Sequence, residues 1–451
     1  MIQRYRTSKR SDERVTRLRD ICFSKKTNFD LPCVYVDSKK TYQTHLGFGG
    51  ALTEASSLVL DMIGPELRKE VIEAYYGQNG NKYNFLRLTI NSCDFGLTQY
   101  SYVEDHDYEL RSFSLKHDEE LIIPFALDIK NVSQLPLFIV ASPWSAPWWM
   151  KDNLETQYGG KLLGENYQLW ADYFVKYLKG MENHGLTINA VTVQNEPEAK
   201  QIWESMHFTA LEEAKFVRNY LSPSFKKNKL GTNIIIWDHN KDHMVQRSNV
   251  VLEGKKNDSA VWGIGYHWYC SEAFKNIELT HHLYPNQHII FTEGCVEVAN
   301  EATGNKDNVY LGDWKHAETY GRNIILGLNN YTEAWIDWNL ILDEVGGPTY
   351  VKNFCESPIM YDRRVKKLIY NGSYYYLAHF SRFIEVGAKR LFSSNDLEKD
   401  VFNVAYQNPN GDIVIVIQNE NWIKELTLIV DSKSVNITLP PNSITTFVLK
   451  K

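Results

Sequence analysis

The segment Leu137-Phe138-Ile139-Val140 is an unbroken apolar run that continues into Ala141-Ser142-Pro143-Trp144. A strand with one wet face would alternate apolar and polar residues, so this run fits a strand buried on both faces, as parallel strands are. Comparable short runs recur at 46–52, 84–90, 135–141, 189–194, 233–237, 261–268, 287–292 and 332–337. Longer segments with helical periodicity lie between them. Residues 65–76 start on Pro65, repeat apolar residues at Leu67, Val71, Ile72 and Tyr75, and stop at Gly77. Residues 165–184 line up Leu169, Trp170, Tyr173, Phe174, Tyr177, Leu178 and Met181 on one stripe before Gly185. Eight strands alternating with helices predict an α/β fold of the (β/α)8 TIM-barrel type. A doubly wound sheet is the alternative, but no glycine-rich dinucleotide fingerprint follows the first strand.

The pattern changes after residue 385. Short β-rich runs at 401–406, 413–417, 426–430, 434–439 and 445–449 are separated by Asn, Pro and Gly turns, which predicts an antiparallel, sandwich-like sheet. That segment is short for an independent sandwich and is expected to recruit strands from residues 1–45, such as 33–36. The organisation expected is therefore a catalytic barrel over 46–384 and a side domain built from 1–45 plus 385–451.

The 451 residues carry 49 Lys+Arg against 55 Asp+Glu, a formal charge of −6, and are 43% hydrophobic. This balance excludes disorder and argues against a sequence-independent grip on nucleic acid. Apolar runs stop short of the roughly 18 residues that a membrane helix needs. The N-terminal stretch has cations but no apolar core or small-residue cleavage site, so the expected location is cytoplasmic. Six scattered cysteines show no C-x-x-C spacing.

In a barrel, functional groups gather at the C-terminal ends of strands. The fourth strand ends Val193-Gln194-Asn195-Glu196-Pro197 and the seventh ends Phe291-Thr292-Glu293-Gly294. Most glutamates are solvated surface groups. Two of them placed at strand ends across a barrel mouth are instead what glycoside hydrolysis needs: one protonates the leaving oxygen, and the other attacks the anomeric carbon or activates water. The 12 Trp, 27 Tyr and 20 Phe supply candidate sugar-stacking surfaces. Among these, Trp148 and Trp149 are equally compatible with core packing. His239 and His243 have the i, i+4 spacing of metal ligands, but no third ligand is in register, so a charged loop is the better reading.

From Gly47 to Asp362 the chain resembles glycoside hydrolase family 30, on its acid β-glucosidase (glucosylceramidase) branch. The segments that carry the resemblance are 47–51, 87–95, 141–144, 194–197, 267–269, 292–295, 337–340 and 346–348, in the family's order. The resemblance implies a retaining exo-β-glycosidase with Glu196 as acid/base and Glu293 as nucleophile. It also places Arg87, Asp94, Trp144, Asn195, His267, Tyr269 and Trp338 around the sugar. Trp203, in the loop after Glu196 where the family varies, is expected from its position to edge the aglycone site. No metal and no organic cofactor are implied. For this chemistry Glu196 should hold its proton, with a raised pKa, while Glu293 stays ionised. β-Glucosides are the expected substrates, with β-xylosides, β-fucosides or β-1,6-glucans as alternatives and a non-catalytic sugar-binding protein as a remote one. Small-molecule or oligosaccharide glycosides are the expected partners, and neither a ceramide substrate nor an activator protein carries over automatically.

Overall fold

The computed structural model describes all residues except 25–29, 254–258, 299–309 and 398. Among the described residues, eight parallel strands close into a barrel. They are β1 (Gly47–Ala51), β2 (Phe85–Ile90), β3 (Phe138–Pro143), β4 (Ile188–Thr192), β5 (Asn233–Asn240), β6 (Gly263–His267), β7 (His288–Glu293) and β8 (Ala334–Asp337). Each falls on one of the eight predicted runs. β8 pairs with both β7 and β1, which closes the ring.

Strand parity sorts the core into layers. Phe85, Val140, Ala190, Ile235, Ile290, Ala334 and Ile336 form one buried apolar cluster inside the barrel. Two residues further along, the same face of β2, β3 and β7 carries Arg87, Ser142 and Thr292, all buried. Polar chemistry thus sits one layer above an apolar plug. Close strand approach requires Gly49, which pairs with Phe85; a Cβ there would lie 2.2 Å from the Phe85 carbonyl oxygen.

The outer helices bury the stripes read from the sequence. Gly64–Tyr76 has Pro at its first turn and buries Val71, Ile72, Tyr75 and Tyr76. Tyr167–Asn183 buries Trp170, Tyr173, Phe174, Tyr177, Leu178 and Met181 against the strands.

Nine strands form the second sheet, among the described residues, and its pairing is antiparallel except where Lys424–Val430 runs parallel to Cys33–Thr44. Ile2–Ser8 lies between Thr16–Ile21 and Ser443–Leu449, and Cys33–Thr44 lies between Lys389–Asn395 and Lys424–Val430. Chain ends far apart in sequence are therefore neighbours. The strands Ile2–Ser8, Thr16–Ile21 and Lys389–Asn395 had no clear signal: Thr16–Ile21 is exposed or half-buried throughout, and its arginines mask the alternation. The sheet is tied to the barrel's helices by buried polar contacts. His379 hydrogen-bonds Thr446 Oγ1 at 2.8 Å and Thr7 Oγ1 at 2.9 Å, and Gln43 Nε2 donates to the Leu328 carbonyl at 2.6 Å.

Candidate active site

At the C-terminal end of the barrel a cavity of about 470 Å³ is lined by Asp94, Trp144, Asn195, Glu196, Trp203, His239, Tyr269, Glu293, Cys295, Trp338 and Asn353 among others. Eight of the ten residues named from sequence line it. The other two, Arg87 and His267, are fully buried directly behind it.

Arg87 is the organising residue. Its Nη1 donates to Glu293 Oε2 at 2.5 Å, its Nη2 to Asn195 Oδ1 and to Asp238 Oδ2, each at 2.9 Å, and its Nε to Ser142 Oγ at 3.1 Å. A guanidinium presents donors in a fixed fork, so one side chain holds groups from β3, β5, β7 and the loop after β4 in register. By taking the Asn195 amide oxygen, Arg87 leaves the Asn195 NH2 group as the donor that faces the cavity. The Trp144 and Trp338 rings stack on each other, with centroids 5.2 Å apart and planes at 22°, and the guanidinium lies 5.1 and 5.6 Å from their centroids. These two tryptophans form one aromatic wall.

Glu293 receives a second donor, the Tyr269 hydroxyl, at 3.2 Å to Oε1. Glu196 occupies a left-handed backbone conformation, φ 47°, between Asn195 and Pro197. Its N–H donates to the Asp238 carbonyl at 2.9 Å, and the Asn195 N–H to the Pro143 carbonyl at 2.8 Å, so β3 and β5 together hold this strained turn. His267 Nδ1 lies 3.1 Å from Glu196 Oε1 and 4.0 Å from Glu293 Oε1, so those oxygens cannot be farther apart than the sum of the two distances. That is close enough for both to act on one glycosidic bond.

The electrostatics depart from the sequence expectation. Burial pushes Glu196 up, but His239 and the hydrogen bond from His267 outweigh it and hold the carboxyl below its ordinary range. Glu293 is raised: burial exceeds the opposing pull of His267 and Arg87, and Glu196 adds repulsion. His267 is pushed up to about 9; burial opposes its charge, but Glu293, Asp238 and Glu196 together prevail. Asp238 is held far below the usual carboxylate range, since Arg87 and His267 overcome its complete burial. The order expected from sequence follows from the roles of acid and nucleophile alone, and the sequence gives no sign that the His267 ring lies within 4.0 Å of both carboxylates.

Asp94 is buried and accepts from Asn353 Nδ2 at 2.9 Å; burial raises its pKa well above normal. Trp203 is buried beside Trp144 and Trp338 in the aromatic cluster of this end of the barrel. Trp149 packs against His106 and Tyr108, and Trp148 donates its indole N–H to Asp105 at 2.8 Å; both serve packing.

Some functional neighbours were missed. Asp238, which links Arg87 to His267, carried no motif. His239 was read as part of a charged loop; it lies on β5 and points at the site, with Nδ1 3.6 Å from Glu196 Oε1. β5 slips register against β6 between Trp237 and His239, and Trp237 and Asp238 both have positive φ, so the bulge turns both acid and imidazole inward. His243 instead pairs with Glu198 near the surface. The ligand atoms of Glu196, His239 and His267 lie within 4.8 Å of one another, which is compatible with metal ligation, although no such trio was visible from the i, i+4 spacing.

A closed parallel barrel with two carboxylates and an aromatic wall at its C-terminal mouth defines a glycoside hydrolase. Comparison with known families is specific: residues 45–384 match the glycosyl hydrolase family 30 TIM-barrel domain, and residues 387–447 match the family 30 beta sandwich domain. The chain belongs to glycosyl hydrolase family 30. The lysosomal acid glucosylceramidase of Mus musculus is 33% identical over 399 residues, covering 85% of this chain and 76% of that protein. Among solved structures, SrfJ from Salmonella typhimurium superposes with a TM-score of 0.91 at 30% identity, covering all of both chains. The endo-β1,6-glucanase BT3312 superposes with a TM-score of 0.85 at 25% identity, covering 100% of this chain and 99% of its own.

Proposed function

We propose that this glycoside hydrolase is a retaining exo-β-glucosidase in which Glu293 attacks the anomeric carbon and Glu196 serves as acid and then base. The observation that carries the reading is the clamp on Glu293. Arg87 and Tyr269 donate to its two oxygens separately, so the carboxylate is held as an acceptor in one orientation, as a nucleophile must be. Covalent attack produces a glycosyl-enzyme, which water then cleaves with Glu196 as base.

The acid's proton is held by Glu196 and His267 together. His267 donates from Nε2 to Asp238 and shares its Nδ1 proton with Glu196, so the pair, an imidazolium beside a carboxylate, holds one transferable proton at neutral pH. As the leaving oxygen gains negative charge, that proton passes through Glu196 to it. The negative charge on Glu293 disappears once the ester forms, which favours ionised Glu196 and its work as base. The Asn195 amide faces the sugar 2-hydroxyl, where a hydrogen bond strengthens as the ring approaches the oxocarbenium-like transition state. Asp94, clasped by Asn353, accepts from hydroxyls farther round the ring, and Trp144 with Trp338 forms the wall beside it.

A glucosyl glycone is supported by the relatives' names, since glucosylceramidase and β-1,6-glucanase share that unit. Exposed Leu97, Leu154, Tyr158, Ile202 and Val345 lie in loops that follow β2, β3, β4 and β8, on the cavity side, and favour a large, partly apolar aglycone. Internal cleavage of a β-1,6-glucan is the second reading, favoured by the likeness to BT3312.

A 2-deoxy-2-fluoro-β-glucosyl inactivator with peptide mass spectrometry tests the mechanism. The adduct is expected on Glu293; turnover of β-glucosides without an adduct there overturns the assignment. Glucose as the sole early product from a β-1,6-glucan or glucosyl lipid supports exo action, and oligosaccharides overturn it.

A further inference from the structure

Cys295 and Cys355 both line the cavity, and their sulfurs lie 3.1 Å apart. Residues 296–297 and 355–356 form a short antiparallel ladder in which Glu297 faces Cys355 and Val296 faces Glu356. Cys295, two positions before Glu297, is therefore the diagonal neighbour of Cys355 on the same face of the ladder. Backbone hydrogen bonds hold the arrangement: the Val298 N–H donates to the Phe354 carbonyl at 2.9 Å and the Cys355 N–H to the Gly346 carbonyl at 3.0 Å. Bonding the sulfurs needs only about 1 Å of approach, since a disulfide spans about 2.05 Å. The thiol pair is also wired to the reaction centre. The Tyr269 hydroxyl touches Cys295 Sγ at 3.4 Å and donates to Glu293 at 3.2 Å.

We infer that Cys295 and Cys355 are a redox modification site, oxidised by hydroperoxides to a disulfide that slows turnover by displacing Tyr269 from Glu293. In the first step one sulfur, as thiolate, attacks the peroxide O–O bond. That bond breaks, the sulfur gains the hydroxyl as a sulfenic acid, and the other oxygen leaves as water or an alcohol after taking up a proton. The second thiol then attacks the sulfenic sulfur, an S–S bond forms, the S–O bond breaks and water departs with the thiol's proton. Two thiols lose two electrons in all, and the peroxide is reduced by two. Burial raises both thiol pKa values, so the reaction runs faster as pH rises. Entry is through the cavity, so a bound sugar should shield the pair.

The disulfide itself is independent of the assignment of Glu293, but its effect on rate rests on that assignment; two readouts therefore separate them. The full-length protein is treated with hydrogen peroxide at mildly alkaline pH, free thiols are alkylated, and proteolytic peptides are mapped by mass spectrometry. The expected result is a cross-linked pair of peptides containing Cys295 and Cys355, lighter by two hydrogens and released by dithiothreitol. In parallel, kcat on whichever aryl β-glycoside the enzyme hydrolyses should fall at least fivefold and recover with dithiothreitol. Cys355→Ala, compared with its own untreated activity, should lose this reversible inhibition, whereas Cys22→Ala, at an exposed cysteine that does not line the cavity, should keep it. Sulfinic acid at either cysteine without a cross-link overturns the site. A cross-link that leaves kcat unchanged, or inhibition that persists in Cys355→Ala, overturns the coupling through Tyr269.

Discussion

Replacing His267 by Gln tests the shared-proton reading most directly. His267 is fully buried, and its pKa moves from 6.5 to about 9. At about 1.4 kcal/mol per unit, the site favours the charged ring by about 3 kcal/mol, a factor of a few hundred in proton affinity. If the leaving-group proton is stored on the Glu196–His267 pair, kcat/KM for substrates with poor leaving groups should fall on the alkaline side near pH 9. In His267→Gln the amide can still touch Glu196 and Asp238 but cannot hold a proton. The alkaline fall should then move down by two or more units, toward the carboxyl range of Glu196. Activated aryl β-glucosides need little protonation and should lose much less. The assay is a pH profile of kcat/KM for a methyl and a dinitrophenyl β-glucoside with both proteins. An alkaline fall that stays near pH 9 in the variant, or that is equal for both leaving groups, refutes the reasoning. Stability offers a second readout with a definite sign. A histidine whose pKa is raised on folding contributes fully below its unfolded value near 6.5 and loses that contribution as pH rises through about 9. Urea unfolding should therefore show the wild type more stable relative to the variant at pH 6 than at pH 10, by on the order of 3 kcal/mol.

Two further outcomes are expected. Glu196→Gln should lose activity steeply on poor leaving groups and far less on activated ones in single-turnover kinetics; uniform loss would argue against its acid role. Gly49→Ala would drive a Cβ onto the Phe85 backbone carbonyl, which cannot rotate away as a side chain would. It should destabilise the protein by about 3 kcal/mol, the upper end for overpacking, as a lower urea midpoint; an unchanged midpoint would show that β1 and β2 can separate without penalty.

How legible each part was depended on the range of the information. All eight barrel strands and the stripe on Tyr167–Asn183 are local patterns, because burial on both faces or on one helical side is written in neighbouring residues. Thr16–Ile21 escaped notice because an exposed edge strand carries little apolar signal and its partner is the other end of the N-terminal hairpin. Within the site, Glu196 and Glu293 are legible because Glu293 ends a recognisable strand and Glu196 lies in the short turn that follows one. Asp238 and His239 are not, because their inward aim depends on a bulge in β5 and on the register of β6 beside it.

Sequence alone therefore determined the barrel, the aromatic and acidic residues at its mouth, and the family resemblance, since strand periodicity and motif order survive without coordinates. The tertiary structure decided how those residues behave. A carboxyl's proton affinity depends on what lies within a few ångströms, and for Glu196 and Glu293 those neighbours come from β2, β5 and β6, more than a hundred residues away in the case of Arg87. Only folding brings the His267 cation between the two glutamates and reverses their order, and only folding sets Cys295 against Cys355.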